Sequence, residues 1–214
     1  MNIAPLVTVL VAVLAVVAML WSEARMPRLE WFFKPLASLC FVALALQAGA
    51  LEAGYGQMLL AGLLLCLSGD VLLIPDNDRT FVLGLGSFLL GHLAYALAFL
   101  QLPTNPYGVL ASLLPVIALG VLSLRWLWPQ LPPAMKGPVT AYIVVICGML
   151  LMAGGSWGAP PALLILAGAW GFALSDLSVA RNQFVRKSMA NRFWGIPLYF
   201  ASQMLLAWSV STIA

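Results

Sequence analysis

Charge is what this chain has least of. Of its 214 residues ten are Lys or Arg, seven are Asp or Glu and one is His, so that 8% are charged against 63% hydrophobic. Soluble domains run near a quarter charged, because their surfaces must meet water. A chain with a mean hydropathy of +1.02 has no such surface to offer. Its outside must face lipid. The same scarcity excludes a disordered segment, a coiled coil and a nucleic-acid-binding module, each of which needs polar or charged residues that are missing.

Cysteine and histidine are nearly as scarce. Cys40, Cys66 and Cys147 lie far apart in apolar runs, which excludes a disulfide framework or a CxxC site. A single histidine leaves no His-rich zinc centre. No nucleophile elbow, HExxH pair or phosphate-binding glycine loop is read in the chain. Any chemistry here is expected to need neither metal nor cofactor.

Long hydrophobic runs are abundant. A membrane-crossing helix takes about twenty mostly apolar residues, and the chain divides into eight such stretches: Ile3 to Trp21, Pro35 to Leu51, Gln57 to Pro75, Phe81 to Gln101, Tyr107 to Trp128, Pro138 to Ala153, Pro160 to Ala180 and Trp194 to Ile213. Short connectors rich in Pro, Gly, Asn and Asp separate them. The first stretch has no basic segment before it and is too long for a secretory signal core, so it reads as a retained span. The fold predicted is an all-α bundle of eight transmembrane helices forming one integral-membrane domain. Leu67-Ser68-Gly69-Asp70 with a following Phe81 resembles Leu174-Ser175-Asp176 with a following Phe184. Two four-helix halves, about 1–106 and 107–214, would produce that likeness.

All ten basic residues fall in odd-numbered connectors or at their edges: Arg25, Arg28 and Lys34; Arg79; Arg125 and Lys136; Arg181, Arg186, Lys187 and Arg192. The positive-inside rule then puts the odd connectors in the cytoplasm and both termini outside it. In a bacterium the chain would be a multi-pass protein of the inner membrane.

Ionisable residues inside hydrocarbon are costly, on the order of 2.5–3.5 kcal/mol each on insertion scales, so each is a functional candidate. Asp70 and Asp176 both sit near the cytoplasmic ends of their spans, roughly 7 Å inside the boundary at 1.5 Å per residue, and could share a cavity. Asp70 has no cationic partner within its own span; Asp176 has Arg181 nearby, which would make it half of a structural ion pair. His92 lies mid-span with Phe88, Tyr95 and Phe99 on its helical face, where a backbone or tyrosine oxygen would satisfy it if it has no catalytic role. Tyr142, Tyr199 and Gln203 lie at similar depth. Lys34 either meets a lipid phosphate or anchors the topology. Gly84, Ser87, Gly91, Gly171 and Ser175 read as helix-packing positions, and Trp21, Trp126, Trp128 and Trp208 as an interfacial belt.

A carboxyl pair with a histidine and tyrosines suits acid–base hydrolysis of a bond that needs a strong proton donor, a vinyl ether being one. The same residues also suit the proton relay of a small carrier. The unbroken spans favour the hydrolase, because carriers of that type often have helices interrupted at corresponding places and here Pro115 of the fifth span has no counterpart in the first.

Lys34-Pro35-Leu36, Gly69-Asp70, the run Phe88-Leu89-Leu90-Gly91-His92-Leu93-Ala94-Tyr95, Ser175-Asp176 and Tyr199 through Gln203, in that order, resemble the YhhN family, which includes the TMEM86-type lysoplasmalogenases. The resemblance implies a membrane-embedded hydrolase that uses water to cleave the vinyl ether of a lysoplasmalogen into a fatty aldehyde and glycerophosphoethanolamine or glycerophosphocholine. Carried onto this chain, it implies Asp70 as catalytic acid or base with Asp176 as partner, and His92 and Tyr95 lining the site. Lys34, Tyr142, Tyr199 and Gln203 would hold the lysolipid, on the cytoplasmic side of the bilayer. The orientation is directly testable: a reporter fused after Ala214 is expected outside the cytoplasm, and a cytoplasmic signal would refute the span count or the orientation.

Overall fold

Eight long helices form where the apolar runs predict them. The computed structural model describes residues 3–22 and 26–213, and among these residues there are helices and turns and no strand. The helices are α1 (Ala4–Ser22), α2 (Glu30–Gln47), α3 (Gly54–Leu72), α4 (Asp78–Phe99), α5 (Pro106–Leu127), α6 (Pro133–Gly155), α7 (Ala162–Ala180) and α8 (Met189–Ser209). A π-helical turn, Arg181–Val185, prolongs α7. Polar caps fix several starts. Asn77 Oδ1 accepts from the Thr80 amide at 3.0 Å, Asn105 Oδ1 from the Tyr107 amide at 2.9 Å and Ser188 Oγ from the Ala190 amide at 3.2 Å, each satisfying a donor that the first turn leaves open.

Three helices begin five residues earlier than their apolar runs suggest. Pro35, Pro138 and Trp194 are not first residues; they lie inside α2, α6 and α8. The turns before them carry Glu30 and Lys34, Lys136, or Asn191 and Arg192, so hydropathy stops short of the true helix. Lys34 therefore stands within α2 and not in a connector. Arg25 lies outside the described residues.

Six of the helices are long and apolar enough to cross a membrane; α2 and α8 are not in that set. These two carry Glu30, Lys34, Gln47, Arg192 and Gln203, which lower their hydropathy. The multi-pass helical architecture stands.

Consecutive helices pair as hairpins, α1 with α2, α3 with α4, α5 with α6 and α7 with α8. Further contacts close a ring running α2, α3, α4, α6, α7, α8 and back to α2, while α1 packs outside on α2 and α8, and α5 outside on α6. The outer helices expose apolar side chains, Leu6, Leu10 and Leu14 on α1 and Leu110, Leu114 and Ile117 on α5, as lipid-facing surfaces do.

Small residues let the helices approach. A Cβ on Gly62 would strike the Tyr95 ring, and one on Gly91 would lie 2.9 Å from Cys66 Sγ. Ser87 Oγ crosses from α4 to donate to the Leu65 carbonyl at 2.7 Å. On the other side of the ring Gly171 faces Ser202, and Gly195 faces Ser178 on α7. Gly195→Val is expected to push α7 and α8 apart and destabilise the protein by about 1–3 kcal/mol, read as a lower melting temperature in detergent. Gly86→Ala, with open space around it, serves as the control that leaves the melting temperature unchanged.

Candidate active site

The ring encloses two carboxyl groups near the end of the bundle where α2 and α8 begin and α3 ends. Asp70, in the last turn of α3, is 2% exposed. Its Oδ2 accepts hydrogen bonds from Ser38 Oγ of α2 at 2.6 Å and from Tyr199 Oη of α8 at 2.7 Å, and its Oδ1 lies 3.9 Å from Lys34 Nζ. Lys34 and Ser38 are one turn apart on α2, so one helix face delivers a cation and a hydroxyl together. Ser38 Oγ also lies 3.0 Å from the Lys34 carbonyl oxygen, so its one hydrogen is divided between that carbonyl and the carboxyl group.

Asp176, on α7, keeps its side chain 15% exposed. Tyr142 Oη of α6 donates to its Oδ2 at 3.0 Å. Arg181 does not pair with Asp176; its Nη1 donates to Asn191 Oδ1 at 2.9 Å. The second neighbour of Asp176 is His92. The imidazole Nδ1 lies 2.7 Å from the Phe88 carbonyl oxygen, which only accepts, so Nδ1 carries a hydrogen. That leaves Nε2 facing Asp176 Oδ2 at 3.4 Å, within ion-pair range but without hydrogen-bond alignment. Nε2 is thus the imidazole atom turned toward the carboxyl group, with no hydrogen bond of its own. Phe172 stacks on the imidazole, with centroids 4.1 Å apart and planes at 17°, and holds it in place.

Both carboxyl groups line one cavity of about 130 Å³. Tyr142, Tyr199 and Lys34 line it too, and its remaining walls are mostly apolar side chains such as Leu119, Ile143 and Ile146. Phe81 and Phe184, which follow the two aspartates in sequence, meet edge to face beside it at 5.8 Å. A second cleft of about 620 Å³ adjoins it, sharing Lys34, Phe81 and Ile196 as walls. This cleft is polar, with Glu30, Asp76, Lys187 and Arg192 around it.

Of the residues singled out in the sequence, Lys34, Asp70, Tyr142, Asp176 and Tyr199 converge on the cavity. His92 stands behind Asp176, fully buried. Tyr95 and Gln203 do not line the cavity. They are both 0% exposed and bond to each other, Tyr95 Oη donating to Gln203 Oε1 at 2.6 Å. Sequence reasoning passed over Ser38. Its one signal was a small hydroxyl one turn after Lys34 in an otherwise apolar run. Gly154-Gly155-Ser156-Trp157-Gly158 does match the letters of a nucleophile elbow. It forms the end of α6, where Ser156, 1% exposed, donates to the Ala153 carbonyl at 2.7 Å, and it has none of the strand-to-helix context that exposes such a serine.

Fold and site together define a polytopic helical membrane protein with a carboxyl-lined interior cavity. The chain belongs to the YhhN family, whose model matches residues 29–210. It is 30% identical to a membrane protein named YhhN from Escherichia coli O157:H7, over 85% of this chain and 86% of that one. It is 33% identical to the lysoplasmalogenase TMEM86B of Sus scrofa, over 92% of this chain and 82% of that one. It is also 33% identical to a lysoplasmalogenase of Mycobacterium tuberculosis, over 77% of this chain and 66% of that protein. No solved structure matches it.

His92 is the only histidine, so its imidazole nitrogens are resolvable by ¹⁵N NMR without assignment. The contact with Phe88 predicts a protonated Nδ1; a bare Nδ1 would contradict the geometry.

Proposed function

We propose that this protein is a membrane-embedded hydrolase that cleaves the vinyl ether bond of lysoplasmalogens, releasing a fatty aldehyde and glycerophosphoethanolamine or glycerophosphocholine. The observation that carries this reading is two carboxyl groups, each in contact with a tyrosine hydroxyl, facing one largely apolar cavity that adjoins a polar cleft. An amphiphile with its reactive bond between head and chain fits that layout. The relatives named lysoplasmalogenase support the same substrate.

The site residues divide the chemistry as follows. The proton shared by Asp176 and His92 goes to the alkene carbon next to the ether carbon, giving an oxocarbenium ion. Asp70, held as an acceptor, stabilises that cation and takes a proton from the water that adds to it. The product is a hemiacetal. Its bond to the glycerol oxygen then breaks, the hemiacetal hydroxyl loses its proton, the glycerol oxygen gains one, and aldehyde and glycerol alcohol leave. The proton taken from water by Asp70 balances the one given to carbon, and its return across the cavity to Asp176 and His92 restores the acid, so each turnover consumes one water. Every atom in the balance comes from lipid and water.

Tyr142 and Tyr199 orient the two carboxyl groups, and Lys34 stands at the neck between cavity and cleft. Tyr95 and Gln203 act as a buried support behind the site. The eight helices are read as eight spans, with the basic end of the bundle, and so the site, at the cytoplasmic face of the inner membrane. A carrier would need a path onward from the carboxyl groups. Beyond them the ring is filled by fully buried side chains, among them Tyr95, Phe99, Met149 and Ile165, which favours the hydrolase.

The test is aldehyde release by purified protein from lysoplasmenylethanolamine and from the matching acyl lysolipid, in the presence of a metal chelator. Aldehyde is expected from the vinyl ether alone. Asp70→Asn and Asp176→Asn are each expected to lower the rate by about 10²–10⁴-fold, the usual worth of a positioned acid or base, measured on protein that still melts cooperatively. Wild-type turnover in a folded Asp70→Asn protein would remove that residue from the mechanism, and absence of aldehyde from the wild type would sink the reading.

A further inference from the structure

The cleft next to the cavity carries charges of both signs in a defined arrangement. Arg192 Nη2, in the first turn of α8, lies 2.7 Å from Glu30 Oε1 at the start of α2, with the two side chains only 26% and 16% exposed. Lys187 and Asp76 also pair at 2.7 Å, but at 65% and 82% exposure. An exposed pair of that kind contributes little. The Glu30–Arg192 pair differs because its charges are largely withdrawn from water, where each is tolerated only while the other compensates it. Lys34, the neck residue, adds a second cation.

We infer that Glu30, Arg192 and Lys34 form a headgroup site for zwitterionic phospho-amines. Arg192 and Lys34 take the phosphate and Glu30 takes the ammonium, so that the internal ion pair is exchanged for two pairs with the ligand. The inference rests on the hydrolase reading and deepens it. Exchange is what makes the site selective. A zwitterionic headgroup brings one charge of each sign, so Glu30 and Arg192 each lose a partner and gain another. A phosphate without an amine takes Arg192 from Glu30 and returns nothing, leaving a carboxylate uncompensated beside an anion. An uncharged glycerol headgroup cannot displace the pair at all. With the phosphate at the neck, the glycerol and vinyl ether extend into the cavity toward Asp70 and Asp176, and the alkenyl chain lies along its apolar wall.

The experiment measures binding with ligands that cannot be hydrolysed. Saturated hexadecyl ethers of glycerophosphoethanolamine, glycerol 3-phosphate and glycerol are titrated into the full-length protein in detergent, and affinity is read from the ligand-induced rise in melting temperature. The phosphoethanolamine ether is expected to bind about tenfold or more tightly than either of the others. Glu30→Gln should abolish its advantage over the phosphate ether. Arg192→Gln, which leaves Lys34 as the remaining phosphate cation, should narrow the lead of both phosphate ligands over the glycerol ether. The double variant Glu30→Gln with Arg192→Gln, which removes both charges together, gives the same narrowing if the single Arg192 variant does not fold. Equal binding of all three ethers by the wild type, or an unaltered ranking in Glu30→Gln, would overturn the site. Because these ligands carry no vinyl ether, the ranking is read separately from turnover. The ranking without aldehyde release would refute the hydrolase and keep the site, and aldehyde release without the ranking would do the reverse.

Discussion

A carboxyl group inside an apolar bundle has to be given partners, because lipid supplies none and an isolated charge there is too costly to retain. At Asp70 the partners come from two other helices. Lys34 and Ser38 reach it from α2 and Tyr199 from α8, so α2, α3 and α8 are obliged to meet around one side chain. The ring of helices closes through that junction. The same requirement explains why α2 and α8 are the two helices outside the strongly apolar set. They carry the polar groups that the aspartate needs on their inward faces, while Phe32 and Leu39 of α2 and Phe193 and Trp194 of α8 stay exposed outside.

Asp176 meets the same requirement differently. It borrows Tyr142 from α6 and faces an imidazole whose other nitrogen is committed to the backbone. The two carboxyl groups therefore differ in kind: one is surrounded by hydroxyl donors and a cation, the other stands between a tyrosine hydroxyl and an imidazole. Acid–base chemistry needs such an unequal pair, since two identical groups would compete for one role. Phe172 joins the two halves of the site, stacking on His92 while its ring lies 5.5 Å from that of Tyr199. The polarity then grades outward, from the apolar walls around the carboxyl groups through Lys34 to the mixed charges of the cleft. That gradient matches the order of groups along a lysolipid.

Much of this was legible in the sequence, because in a membrane protein polar residues are rare enough to be informative one at a time. Asp70, Asp176, Lys34, Tyr142 and Tyr199 were exposed as candidates by their expense, and they do converge. The helix-packing roles of Gly91 and Gly171 were legible from spacing. Helix boundaries were less so. Hydropathy cannot see a turn that carries Glu30 or Arg192, so α2 and α8 looked shorter than they are, and Lys34 was taken for a connector residue. Depth alone could not tell Tyr95 and Gln203, which bond to each other, from Tyr199, which serves an aspartate. Ser38 escaped because a serine in a helix is normally satisfied by its own backbone; Ser38 does lie 3.0 Å from the Lys34 carbonyl as well as facing Asp70. The Glu30–Arg192 pair joins residues at opposite ends of the chain, and only the closed ring brings them together.

Protonation at carbon is the step on which the proposed chemistry turns, and solvent deuterium reports it directly. Hydrolysis of a lysoplasmalogen in D₂O, with the aldehyde reduced as it forms, should place a single deuterium on the product carbon next to the former carbonyl. A label in one configuration, the result the account predicts, would show that a group fixed in the site delivers the proton to one face of the alkene. A racemic label would mean that the carbon takes its proton outside the site, from a released enol, and the roles given to Asp70, Asp176 and His92 would be wrong.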